Sequence, residues 1–98
     1  MIINEVLVQL ETSTHPVAKV IHKGEHFKVL AIGLKKGMLL KEHKTALPAK
    51  LLVLYGCVHY KEDENIKKLN KYDDIDIPMN KTHSIECMDD ALCLLTQG

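Results

Sequence analysis

The sequence lacks net charge: thirteen basic residues balance thirteen acidic ones over 98 positions. Chains whose main partner is nucleic acid carry a basic excess or a basic stripe, so that class is set aside. Also missing is any apolar run near the roughly 18 residues that cross a bilayer as a helix. The opening stretch MIINEVLVQL has no cationic start and carries Glu5 among its apolar residues, so it does not read as a signal peptide. Cys57, Cys87 and Cys93 form an odd set with no C-x-x-C spacing. They predict reduced, buried thiols rather than a disulfide framework or a zinc knuckle. No nucleophile–base triad and no phosphate-binding loop is recognisable. Together these absences predict a cytoplasmic protein that binds neither nucleic acid nor membrane.

What remains is a chain with 46% apolar residues, enough for one core in a single domain spanning 1–98. Short apolar segments alternate with polar turns. NEVLVQLE predicts a strand with Val6, Val8 and Leu10 on one face, and VAKVIH a second, weaker one after His15-Pro16. HFKVLAIGL follows Gly24, and Lys35-Lys36 turn the chain between Gly33 and Gly37. LLVLY, residues 51–55, is apolar on both faces and predicts a strand covered on both sides, with Gly56 at its end. KEDEN at 61–65 reads as a charged hairpin turn, with IKKLNKYDD carrying the return strand. HSIEC and ALCLLT flank Met88-Asp89-Asp90 as a final hairpin; Ile85, Met88, Leu92 and Leu95 also fit a helix there. The balance is an all-β barrel or sandwich.

Six histidines are spread along the chain rather than gathered in one tract. His15, His22, His26 and His59 read as surface residues. Five residues separate His43 from Gly37, in Gly37-x5-His43-x-Thr45, with Lys50 and then Gly56 downstream. Pro78, Asn80, His83 and Cys87 follow in a second group after Tyr72.

These two groups resemble the motifs of the cupin superfamily, G-x5-H-x-H-x3,4-E-x6-G and G-x5-P-x-G-x2-H-x3-N. The resemblance covers about residues 25–95. It implies a single cupin-like antiparallel β-barrel, a double-stranded β-helix or jelly roll. It further implies that His43, Thr45, Lys50 and His83 meet inside the barrel, where relatives hold a divalent metal such as iron, manganese, nickel or zinc. Thr45 stands at the second histidine position and Lys50 at the glutamate position, so only His43 and His83 of that ligand set remain. Lysine has no lone pair while protonated, and two imidazoles alone hold a metal weakly. No metal is therefore the primary expectation, with Cys87 as a third ligand if one is held at all. The resulting reading is non-enzymatic binding of a small molecule, for example an anion drawn by Lys50, at a site built from His43, Thr45, Lys50 and His83, with a metal-dependent oxygenase or isomerase using His43 and His83 as the alternative. Pairing of Lys50 with Asp73, Asp74, Asp76 or Glu42 at the barrel mouth is the competing expectation for that side chain. The apolar outer strands and the resemblance together imply a homodimer.

Overall fold

The computed structural model describes residues 1–98. One helix, α1 (Ile2–Leu10), precedes seven strands: β1 (Val17–Lys23), β2 (Lys28–Leu34), β3 (Leu39–His43), β4 (Ala49–Glu62), β5 (Asn65–Leu69), β6 (Asp74–Ile77) and β7 (His83–Gln97). All pairings are antiparallel, in the order β1-β2-β7-β4-β5, with β3 added to β7 and β6 to β4. The long strands β4 and β7 pair along their length and wrap the sheet around a core that includes Leu34, Leu51, Val53, Val58, Ile77, Ile85 and Cys93.

The first segment is a helix, not the strand its alternation predicts. Val6 and Leu10, four residues apart, are buried, while Ile3 and Leu7 pack alongside them. Val8, assigned by alternation to the same face as Val6 and Leu10, is 65% exposed. The 3.6-residue period wins because the helix has a surface to cover: Val17, Ala31 and Leu92 on the outside of the sheet. Gly33 permits that approach, since a Cβ there would stand 2.9 Å from Val6 Cγ1. Gly33→Val should therefore cost about 1–3 kcal/mol by overpacking. Urea unfolding followed by circular dichroism would check this; an unchanged midpoint would mean that α1 is not seated against β2.

Two further boundaries differ from expectation. Gly56 does not end a strand but lies within β4, at φ +86, where the register against β7 shifts repeatedly between Val53 and Val58. The extra residues reverse the alternation: Ala49, Leu51 and Val53 face the core before the bulge, Val58 and Tyr60 after it. The C-terminal segment is neither hairpin nor helix but the single strand β7. Asp89 and Asp90 stay exposed within it, and Asp90 Oδ1 accepts a 2.8 Å hydrogen bond from the Lys36 amide, so the acidic pair anchors the β2–β3 turn. The charged hairpin is where the sequence puts it, with Asp63 in the left-handed region at φ 55.

Candidate functional site

His43 ends β3 and His83 begins β7, and the two are register partners across the sheet. Their rings lie 4.2 Å apart between centroids. His43 Nδ1 is 2.8 Å from the Lys41 carbonyl, and His83 Nδ1 is 3.0 Å from that of Lys81. A carbonyl only accepts, so in each ring Nδ1 carries the hydrogen and Nε2 keeps its lone pair. His83 is 3% exposed, whereas His43 is open to solvent. The pair thus offers two fixed acceptors at the mouth of the barrel.

Tyr60 of β4 stacks on His83, with centroids 5.7 Å apart and planes 27° from parallel. Its hydroxyl donates to Glu62 Oε2 at 2.7 Å. Burial first, and then the hydrogen bond to Glu62, push the Tyr60 hydroxyl well above the ordinary phenol range, so it remains a donor. Glu62 is the cross-strand partner of His83. Tyr60 and Glu62 were not singled out from the sequence. The signal was present: counting by twos from Val58, after allowing one shift at Gly56, puts both on the inner face. A cavity of about 350 Å³ is lined by Tyr60, Glu62, Lys67, Ile75 and Pro78 among others, and a smaller one of about 100 Å³ lies beside His83.

The other predicted site residues are elsewhere. Lys50 points outward rather than into the barrel, and its ammonium lies 3.2 Å from Asp74 and 3.5 Å from Asp76 on β6, across the sheet. These two carboxylates, Asp74 first, raise its pKa. Pairing with the acidic run is the outcome; the interior position is not. The inward residue of that pair is Ala49, 8% exposed. Reading three residues rather than four after Thr45 puts position 49 opposite the motif's glutamate, and the spacing to Gly56 then becomes the strict one. The barrel thus presents a methyl group where the motif would place a carboxylate. Thr45 sits in the β3–β4 loop and spends its hydroxyl on the turn, donating to the Leu47 carbonyl and accepting from the Leu47 amide at 3.1 Å.

Cys87 is four residues along β7 from His83, on the order of 13 Å away at the usual strand rise. Its thiol donates to the Asp89 carbonyl at 2.9 Å in the core, so it is no third ligand. Glu42 is exposed and lines the small cavity beside His83 together with Lys61 and Ser84. His15, His22 and His26 are exposed, as expected of surface residues.

No protein-family profile matches the chain, nor does any curated protein. Solved structures do. A cupin superfamily protein from Desulfitobacterium hafniense superposes with a TM-score of 0.81 at 15% identity, over 87% of this chain and 78% of that one. An RmlC-like cupin from Shewanella frigidimarina gives 0.80 at 19% identity, over 88% and 78%. This chain has the cupin fold. A third similar structure, KdgF from a Halomonas species, gives 0.78 at 13% identity, over 88% and 81%.

The divalent metal that the cupin fold brings to mind does not fit the donors of this one. No three His, Cys, Asp or Glu side chains converge on a metal-sized point. Two neutral imidazoles without an aimed carboxylate make neither the two-histidine, one-carboxylate face nor its three-histidine counterpart.

Proposed function

We propose that this cupin binds a small molecule at the barrel mouth without transforming it, through Nε2 of His43 and His83. The observation that supports this best is the pair of anchored tautomers: both Nδ1 atoms are tied to carbonyls, so both Nε2 atoms are held ready as acceptors in one place. The anionic ligand suggested by Lys50 is not carried forward, because that ammonium lies on the outer face and is already paired. No helix is long and apolar enough to cross a membrane. Assembly as a homodimer through the outer sheet belongs to the same proposal, and light scattering on the eluting protein should give twice the monomer mass.

A ligand screen by thermal shift tests the binding reading, run beside elemental analysis of untagged protein. Compounds that stabilise the wild type should lose their effect in His43→Ala/His83→Ala and keep it in Lys50→Ala. Metal content should stay far below one equivalent. Near-stoichiometric iron, manganese, nickel or zinc that disappears from the double variant would overturn the reading in favour of a metal-dependent enzyme.

A further inference from the structure

We infer that the group this mouth recognises is a small organic ammonium, held by the Glu62 carboxylate together with Nε2 of His43 and His83. The inference rests on the binding reading above and adds the class of ligand. The imidazoles contribute two acceptors, since their N–H groups are already used on the carbonyls of Lys41 and Lys81. Glu62, opposite His83 in the register, contributes the third. One of its oxygens is fixed by the Tyr60 hydroxyl at 2.7 Å, which leaves the other free.

The charge of Glu62 is offset only at a distance, by Lys81. It forms no ion pair: the nearby Lys81 is committed to Asp63 at 2.7 Å, and Lys67 lines the same cavity without reaching the carboxylate. A primary ammonium supplies three N–H donors and one positive charge, which matches three acceptors and one negative charge. An alcohol supplies one donor and no charge. A carboxylate ligand would set acceptors against acceptors, and the chain has no arginine to receive it by a bidentate contact. A bare divalent ion needs closer convergence than these side chains provide. On the Glu62 side of the mouth, next to the histidines but not lined by them, the cavity of about 350 Å³ has Ile66, Ile75 and Pro78 in its walls, room and apolar surface for a short carbon skeleton.

The test is an NMR titration of the full chain with three probes of one skeleton, n-butylammonium, 1-butanol and butyrate, read at the His43 and His83 ring resonances. Butylammonium should bind at least about tenfold more tightly than butanol, the usual scale of a charge-assisted contact. Glu62→Gln, which keeps the size and removes the charge, should abolish that preference and leave butanol unchanged. Equal affinities for the three probes, tighter binding of butyrate, or a preference intact in Glu62→Gln would overturn the inference while leaving binding at the mouth standing. Silence of both imidazoles to every probe would overturn both. Zinc chloride displacing butylammonium at micromolar concentration would reassign the acceptors to a metal. Should the Glu62→Gln spectrum lose its dispersion, the wild-type order of the three probes decides by itself.

Discussion

Gly56→Ala is expected to destabilise the protein by roughly 3 kcal/mol or more, among the largest effects of any single-methyl change in this chain. Two causes add. At φ +86 an L-residue sits in the left-handed region, which costs about 1–2 kcal/mol. The new methyl would also stand 2.2 Å from the Asp90 carbonyl oxygen and 2.6 Å from Ala91 Cα, both backbone atoms of β7 that cannot rotate away. Gly37 separates the two causes. Its φ is +89, yet a Cβ there meets nothing within 4 Å. Gly37→Ala should therefore cost only the conformational part, about 1 kcal/mol. Urea unfolding of both variants measures the difference directly. Equal losses would mean that the close approach of β4 and β7 at the bulge is not what the geometry indicates. Against a total stability of about 5–15 kcal/mol, the Gly56 change removes a large share of the margin.

The bulge also explains what could and could not be seen in the sequence. The antiparallel barrel was legible because its strands alternate locally and its turns carry Gly, Pro, Asn and Asp where the chain reverses. His43 and His83 were legible as a pair because both fall at matching spacings in two separate motifs. The residues between them were not, for one physical reason: alternation reports a face only while the register is unbroken. Choosing four residues rather than three after Thr45 exchanges Ala49 for Lys50, and that single step moves a lysine from the surface into the barrel. The same insensitivity hid Tyr60 and Glu62, whose inward direction depends on the shift at Gly56. The helix was missed differently. Val6 and Leu10 satisfy both a two-residue and a four-residue period, and only the presence of a surface to cover, formed by distant residues such as Ala31 and Leu92, selects between them. Asp89-Asp90 looked like a turn because acidic pairs favour turns, but an exposed corner of a long strand accommodates them equally well.

The second large effect concerns alkaline pH. Burial pushes the Cys93 thiol up to about 12, and burial with Asp90 nearby pushes Cys87 up to about 11, from an ordinary value of 9.0. A raised folded-state pKa means that the folded protein holds a proton the unfolded chain releases. The stability linked to it is therefore complete below pH 9, falls as the pH rises past 9, and is exhausted above about 11 for Cys87 and about 12 for Cys93. Each thiol contributes a slope approaching 1.36 kcal/mol per pH unit in that window, so moving from pH 7.5 to 10.5 should cost roughly 4 kcal/mol for the pair. Tyr60 acts in the same direction at higher pH, since its hydroxyl is also held protonated by burial. Lys50 and Lys81 lose their partners' help only as they deprotonate, and both lie at the surface, where screening leaves little to lose. Urea midpoints at the two pH values test the claim, and Cys87→Ala/Cys93→Ala isolates the thiols from the lysines. The double variant should start less stable, because both side chains fill the core, yet change less between pH 7.5 and 10.5. A wild-type midpoint indifferent to pH would show that the thiols ionise in place, and that solvent reaches a core whose packing otherwise leaves Cys87 and Cys93 only 1% exposed. Protection of both from iodoacetamide at pH 8 in the folded protein, and their rapid alkylation in urea, would follow from the same proton affinity, because the thiolate is the nucleophile.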